Sequence, residues 1–210
     1  MKKIILVFQC VIILSCSQNE KPAEIADERT DANTVSTDTL RTSESEQQNL
    51  KQLNDQILQI LKQGNHRELA NFIDPQKGVR FSMYAYIEPA KDKVFTREDF
   101  IKYIDTNVKF TWGQKDGTGE IYQTTLKNYL EEWVYSRDYS KSDYSENEMK
   151  GKGNTINNLK EIYPNADFTE NYINGSEQYS FMDWNSLRFV FEKLGNKYYL
   201  TAVVNDQWTI

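Results

Sequence analysis

The chain has 210 residues and a net charge of −6, with 25 basic and 31 acidic side chains. An acidic chain whose only Lys/Arg-rich run is Lys2-Lys3 is not expected to bind nucleic acid, because a phosphate backbone is recognised by clustered positive charge. Both cysteines lie within the first 16 residues, so no disulfide, thiolate metal site or cysteine nucleophile is expected in the remainder.

The N-terminus has the features of a secretory leader. Lys2 and Lys3 precede an eleven-residue apolar run from Ile4 to Leu14, interrupted by Gln9. A helix that spans a bilayer needs about 20 apolar residues, so this run fits the hydrophobic region of a signal peptide better than a permanent span. A buried core segment is the alternative for a run of this length.

The segment Ile13-Leu14-Ser15-Cys16 resembles the lipobox of bacterial lipoproteins. The resemblance implies cleavage before Cys16 and a diacylglycerol on its sulfur, with a further acyl chain such as palmitate. Two or three acyl chains give lasting membrane attachment. We therefore predict a lipid anchor on a bacterial membrane, with the domain outside the cytoplasm. In a Gram-negative cell the predicted location is the outer membrane, because the residue after the cysteine is Ser17 and not the Asp that signals retention at the inner membrane. The alternative is a chance cysteine in an ordinary signal peptide.

Positions 17–46 contain no aromatic residue, and they carry eight acidic side chains against three basic ones. Such a composition buries too little apolar surface to offset the entropy lost on ordering. We predict three parts: a signal peptide over residues 1–15, a lipid-anchored, disordered acidic linker over 16–46, and a single domain over 47–210.

The first half of the domain shows helical and strand patterns in turn. Apolar residues recur at helical spacing from Leu50 to Leu61, and Gly64 is expected to end that helix, with a second short helix after it. The alternating run over 79–87 predicts a half-buried strand. Thr96 and Asp99 form a capping-box pattern, so a helix should begin directly after Thr96.

The second half begins with a polar turn over 115–120. Asp116 and Glu120 within it lack the spacing of a calcium-binding EF-hand, so a solvated turn is expected. A helix is predicted from Leu126 to Tyr135, a loop over 136–152 and a strand over 168–173.

The last thirty residues predict a β-hairpin that turns at Gly195-Asn196. That turn places three pairs on one apolar face: Phe191 with Leu200, Phe189 with Ala202, and Leu187 with Val204. Arg80 and Arg188 fall on the polar faces of their strands, where exposed or cross-strand ion pairs are expected. Helices first and long strands last predict an α+β fold, with N-terminal helices packed on one face of a curved antiparallel sheet.

Several uncommon strings of residues occur in order, among them "VRFSMYAYI", "WGQKDGTGE", "MDWNSLRFVFEK" and "YYLTAVVNDQWTI". They resemble segments of an uncharacterised family of bacterial lipoproteins and secreted proteins. The resemblance implies a nuclear transport factor 2-like (cystatin-like α+β) domain, in which helices lean on a curved sheet and leave a pocket. That fold serves isomerases, dehydratases and binding modules alike, so it implies no single function.

Extending the predicted hairpin outward places Asp183 opposite Trp208, and Asn185 opposite Asp206, on the side of Phe189. Two carboxylates beside an aromatic ring at the open end of an apolar face suggest a pocket mouth. The alternative is that the strands fray there and both acids are solvated.

The sequence contains no recognisable metal or cofactor motif, so neither is expected. The single histidine, His66, is expected on a surface loop. The favoured function is binding of a small molecule or an envelope partner by the membrane-anchored domain. One alternative is a cofactor-free isomerase or hydrolase that uses Asp183 or Asp206, and another is a structural envelope protein without a pocket.

Overall fold

The computed structural model describes residues 49–210 and confirms the α+β class. The predicted leader, Cys16 and the whole of the predicted acidic linker lie outside these residues. The α-helices are Leu50–Gln63 (α1), Arg97–Tyr103 (α2), Leu126–Tyr129 (α3) and Leu159–Ile162 (α4). A π-helix, Leu130–Val134, continues α3, and 3-10 helices span His66–Asn71, Tyr139–Lys141 and Glu177–Tyr179.

Within residues 49–210, eight strands form two sheets. The strands are Val79–Ser82 (β1), Lys93–Phe95 (β2), Lys109–Gln114 (β3), Ile121–Thr125 (β4), Asp143–Glu146 (β5), Asp167–Ile173 (β6), Asn185–Leu194 (β7) and Lys197–Gln207 (β8). The main sheet has the order β2-β1-β8-β7-β6-β5, and β3 pairs with β4 in a separate hairpin. The main sheet is mixed, because β1 runs parallel to β8 whereas its other neighbouring strands are antiparallel.

The predicted helix boundaries follow local capping chemistry. The Asn49 side chain accepts a hydrogen bond from the backbone N–H of Lys51 at 2.7 Å, and Gly64 ends α1 with a φ of 73°. The Thr96 hydroxyl accepts from the N–H of Asp99 at 3.1 Å, so α2 begins directly after Thr96 as predicted. These ends depend on nearby residues, which is why the sequence locates them.

Both faces of the main sheet are covered, although one covered face was expected. On the first face, Leu187 and Phe189 belong to the larger core, which also contains the buried residues of α1. On the second face, Val190 and Val204 form a smaller core with Leu159 of α4. The segment 147–163, which includes α4, covers this second face. A loop was predicted over 136–152, but that range also contains β5, directly before the covering segment.

The C-terminal hairpin follows the predicted register only near its turn. Phe191 lies opposite Leu200 as expected, but Thr201 has no opposing residue on β7 and forms a β-bulge. Beyond the bulge, Phe189 lies opposite Val203 and not Ala202. A one-residue shift moves every later side chain of β8 to the other face of the sheet. The predicted pairing of Phe189 with Ala202, and all pairing beyond it, is therefore wrong.

Candidate functional site

The bulge decides where Asp206 lies. Ser186, and not Asn185, is opposite Asp206, and Asn185 is opposite Gln207. Asp206 therefore shares the second face of the sheet with Arg188, away from Phe189. The predicted placement of Asp206 beside the apolar side chains of β7 is wrong for this reason.

Arg188, Glu170 and Asp206 form a buried charge cluster on that second face. Arg188 and Glu170 are 0% exposed and Asp206 is 3% exposed. The Arg188 Nη2 atom lies 2.7 Å from Glu170 Oε1 and 2.9 Å from Asp206 Oδ2, and the Arg188 Nε–H donates to Glu170 Oε1 at 2.8 Å. The cross-strand ion pair expected for Arg188 is present, but it is fully enclosed and not exposed.

The segment 150–153 closes the cluster from outside. The backbone N–H of Lys150 donates to Glu170 Oε2, and the Ser186 hydroxyl donates to Glu170 Oε1 at 2.5 Å. A Cβ atom added to Gly151 would lie 2.9 Å from the Trp184 ring, and one added to Gly153 would lie 2.8 Å from it. Glycine is needed at both positions because the backbone lies directly on the indole.

Burial raises the pKa of Asp206 from 3.8 to about 6, although the adjacent Arg188 guanidinium opposes the shift. The Asp206 Oδ1 and Arg188 Nη1 atoms are buried and have no hydrogen-bond partner among the described residues. Since Arg188 and Glu170 are 0% exposed and Asp206 only 3%, the protein encloses the cluster and leaves no room for a substrate beside Asp206 in this conformation. The cluster is structural.

Asp183 and Trp208, the other residues of the predicted pocket, have separate roles. The Asp183 carboxylate accepts hydrogen bonds from the Ser176 N–H at 2.6 Å and hydroxyl at 2.9 Å, and these bonds lower its pKa. It closes the loop between β6 and β7. Trp208 follows the end of β8 and is 41% exposed. The structure does not bring Asp183, Asp206 and Trp208 into one pocket.

Two further sequence expectations require correction. His66 is buried, not on the surface, and its Nε2 atom lies 3.2 Å from Glu131 Oε1. Arg80 makes no ion pair within residues 49–210; its Nε–H donates to the Tyr163 hydroxyl and its Nη1–H donates to the Pro89 carbonyl, each at 3.1 Å. Glu131 and Tyr163 are distant in sequence from His66 and Arg80, so a local pattern could not reveal these contacts.

A cavity with a volume of about 920 Å³ opens on the described part of the chain. It lies between the segment 82–93 and the β3–β4 hairpin, and Thr155 and Thr209 contribute to its rim. This volume falls within the usual range for small-molecule sites, about 300–1,000 Å³. We call it the hairpin cavity.

One wall of the hairpin cavity exists because β1 ends at Ser82, five residues before the predicted end of the strand. The Trp133 indole N–H donates to the Met83 carbonyl at 3.1 Å, and the Ser82 hydroxyl donates to the Tyr84 carbonyl at 2.8 Å. Asn158 then holds the N–H and the carbonyl of Ile87, at 2.8 and 2.9 Å. These side chains replace strand partners, so residues 83–88 bend away from the sheet.

The opposite wall is the β3–β4 hairpin, which the sequence analysis did not predict as strands. The Trp112 indole N–H donates to the Thr124 carbonyl at 3.0 Å, and its ring stacks on Tyr129 with centroids 3.6 Å apart. The turn between the strands is the predicted one, and in it the Asp116 N–H donates to the Tyr84 hydroxyl at 2.8 Å. That bond joins the two walls.

Asp92 is the half-buried acid of the hairpin cavity. Its Oδ2 atom accepts from the Glu88 N–H at 2.9 Å, and burial raises its pKa from 3.8 to about 6. Burial also raises the pKa of Tyr84. Asp92 was missed in the sequence because it stands in an ordinary polar stretch, "KDK", with no motif around it. Only the fold of residues 82–93 shows that it lines a cavity.

The described residues contain no group of three or more His, Cys, Asp or Glu side chains arranged to hold a metal ion. Over the same range, 49–210, no helix is long and apolar enough to cross a bilayer. Comparisons of the chain with protein-family models, with curated proteins and with solved structures gave no match. The suggested family and the nuclear transport factor 2-like domain therefore stay predictions.

Proposed function

We propose that this chain is a lipid-anchored protein of the bacterial cell envelope whose α+β domain binds a small molecule in the hairpin cavity. The observation that carries the proposal is the cavity of about 920 Å³ with a half-buried acid, Asp92, and the rings of Tyr84 and Tyr86 on its walls. Small-molecule sites typically combine apolar and aromatic surface with a few polar groups that orient the ligand.

The construction of the walls supports a binding role. Their positions are fixed by hydrogen bonds between distant segments, such as Trp133 to Met83 and Asn158 to Ile87. A preorganised site loses little conformational entropy when a ligand binds. The buried charge cluster gives no comparable support, because it is sealed.

Native mass spectrometry of the full-length protein tests the binding role. We expect a small molecule to co-purify with the protein, and Ala90→Trp to displace it, because Ala90 is exposed on the cavity wall and a large ring there would fill the space. Lys197→Trp is the matched control, since Lys197 is exposed at the start of β8 and outside the cavity. If neither co-purified molecules nor a metabolite library bind, the binding role is rejected.

The membrane location rests on the lipobox resemblance and needs its own test. Cys16→Ser should release the protein from the membrane fraction, and intact-mass analysis of the unaltered protein should show residues 1–15 removed and acyl chains on Cys16. A mature protein with a free thiol at position 16, or with the leader still attached, would contradict the anchor.

A cofactor-free isomerase or hydrolase is the second candidate, and Asp92 is the observation that favours it. A carboxyl group with a pKa near 6 in an accessible cavity suits general acid–base catalysis, and the Tyr84 hydroxyl lines the same cavity. Asp206 no longer supports this candidate, because it is enclosed. Asp92→Asn would abolish turnover of a bound compound in an enzyme, whereas a binding protein would leave every bound compound chemically unchanged.

A further inference from the structure

One end of the main sheet carries a concentration of exposed apolar side chains. At this end β6 and β8 finish and β7 begins, because the first residue of β7 lies opposite the last residues of β6 and β8. Three segments outside the strands meet there: 153–158, 174–182 and 208–210. Half of the large hydrophobic side chains that are exposed among residues 49–210 belong to these segments: Ile156, Tyr179, Phe181, Met182, Trp208 and Ile210. We call this surface the apolar end.

Specific contacts hold the three segments side by side. The Asn154 amide donates to the Thr209 carbonyl at 2.6 Å, and the Thr155 and Thr209 hydroxyls lie 2.8 Å apart. The backbone at Gly153 lies against the ring of Trp184, which follows closely after the second segment. The exposed apolar side chains therefore belong to one part of the surface and are not scattered singly.

The segment 174–182 keeps a strained backbone around its most apolar residues. Ser180 and Phe181 have φ values of 51° and 61°, which are unfavourable for residues that carry a Cβ atom. The Phe181 N–H donates to the Ser176 carbonyl at 2.8 Å, and the Asp183 carboxylate binds Ser176 from the other side of the loop. Phe181 is nonetheless 59% exposed. The strain is thus maintained around a ring that gains little from the protein's own core.

The apolar end is also depleted of charge. Glu177 is the single charged side chain in the three segments, although 27% of the residues in the chain are charged. None of the segments contains Lys or Arg, whereas protein interfaces usually add arginine to their aromatic anchors. Aromatic and aliphatic side chains among uncharged polar ones suit the headgroup region of a bilayer, where Tyr and Trp are favoured.

We infer that the apolar end docks on a lipid bilayer without net charge, with Phe181 and Met182 inserted at the boundary between headgroups and acyl chains. The choice of a bilayer over a protein partner rests on the proposed anchor. A lipid on Cys16 keeps the membrane within reach of the domain, because the 32 residues between Cys16 and Asn49 span at most about 120 Å. At the resulting high local concentration, weak docking is enough to hold the domain on the surface.

Vesicle flotation of residues 17–210 tests the docking independently of the anchor. This chain lacks the leader and Cys16 but retains both hydrophobic cores. With phosphatidylcholine vesicles we expect half-maximal binding at about millimolar lipid, the affinity that a few partly inserted apolar side chains provide. Binding should be unchanged in about 0.5 M NaCl, because no basic cluster contributes to it.

Phe181→Asn should weaken vesicle binding by about tenfold. Asparagine tolerates a positive φ better than phenylalanine does, so the variant removes the ring and keeps the loop conformation. Leu194→Asn is the matched control, because Leu194 is also an exposed apolar residue but lies at the opposite end of β7. The control should bind vesicles as the unaltered chain does.

Three results would overturn the inference: no flotation at about 10 mM lipid, equal effects of the two variants, or loss of binding in salt. A complex with an envelope protein that Phe181→Asn abolishes, in the absence of vesicle binding, would assign the surface to a protein partner instead. A lipid on Cys16 without vesicle binding by residues 17–210 would leave the anchor intact and reject the docking. Vesicle binding by residues 17–210 without a lipid on Cys16 would reject the anchor and retain the docking.

Discussion

Burial raises the pKa of both Asp206 and Asp92 to about 6, yet the two carboxylates lie in different surroundings. Asp206 is enclosed beside Arg188, whose guanidinium also pairs with Glu170. Asp92 stands in the wall of a cavity and accepts one backbone hydrogen bond. The same direction of pKa change therefore accompanies two distinct environments, one closed by the protein and one left open.

The difference teaches that a raised pKa alone does not identify a functional acid. Taking a charge out of water is unfavourable wherever it happens, and both acids show that effect. What separates them is access to solvent and the closeness of the counter-charge. Arg188 forms an enclosed ion pair with Asp206 at 2.9 Å, whereas Asp92 lines an open cavity and is attracted by Arg80 without an ion pair between them.

Arg188→Met should have the largest effect on stability. It leaves Glu170 and Asp206 buried without a counter-charge, which typically costs about 3–5 kcal/mol. Urea unfolding of the variant and of the unaltered protein measures the loss. Arg80→Met is the control, because Arg80 is a partly exposed arginine without an ion pair, and its loss should cost about 1 kcal/mol. Equal losses for the two variants would contradict a structural charge cluster.

The stability of the protein should fall as the pH rises from about 4 to about 6. The folded state holds a proton on Asp206 with a pKa of about 6, against 3.8 when unfolded, so folding is favoured at the lower pH. The shift corresponds to about 3 kcal/mol. Asp92 contributes in the same direction. Urea unfolding at pH 4.5 and pH 7 should show a smaller difference for Asp206→Asn than for the unaltered protein; an unchanged difference would mean that Asp206 is solvated.

Gly151→Ala should destabilise the protein by about 1–3 kcal/mol, the usual cost of overpacking. The added Cβ would lie 2.9 Å from the Trp184 ring and 3.2 Å from both Arg188 Nη2 and Glu170 Oε1, so the segment over the charge cluster would have to shift. Thermal melting and urea unfolding measure the effect. Lys152→Ala, at the exposed neighbouring position, should change the free energy of unfolding by less than about 0.5 kcal/mol.

Asp92→Asn should not lower the stability at pH 7, because the variant removes a charge whose burial raises the pKa of Asp92 and retains an oxygen that can accept from the Glu88 N–H. Its effect should appear instead in ligand binding. Melting curves and titrations on the same sample separate the two. A large loss of stability without a change in binding would place Asp92 with the structural acids and remove the contrast with Asp206.

Features that depend on nearby residues were predictable. The C-terminal end of α1 and the start of α2 were placed correctly because Gly64 and Thr96 act on the backbone within three or four residues of themselves. The hairpin turn at 195–196 and the strand β6 were found for the same reason. The helix predicted from Leu126 to Tyr135 is present, with its second half wound as a π-helix.

Features that depend on distant partners were not predictable. No residue pattern near Thr201 predicts a bulge, yet the register shift at that residue places the Asp206 side chain on the same face of the sheet as Arg188 and Glu170. The break of β1 at Ser82 depends on Trp133, fifty residues away in sequence, and on Asn158, so an alternating apolar pattern over 79–87 was mistaken for one long strand. Asp92 was missed as a cavity residue because the cavity forms only where the chain leaves β1 after Ser82.

By itself, the sequence determined the α+β class, the capped ends of two helices and the turn of the C-terminal hairpin, because helical and strand periodicity, caps and turn signals act within a few residues of the chain. It also predicts a lipobox at Cys16. The tertiary structure decided which acid is sealed and which is open. Burial, strand register beyond a bulge and the pairing of charges depend on segments that meet only after folding, and no local pattern encodes which segments those are.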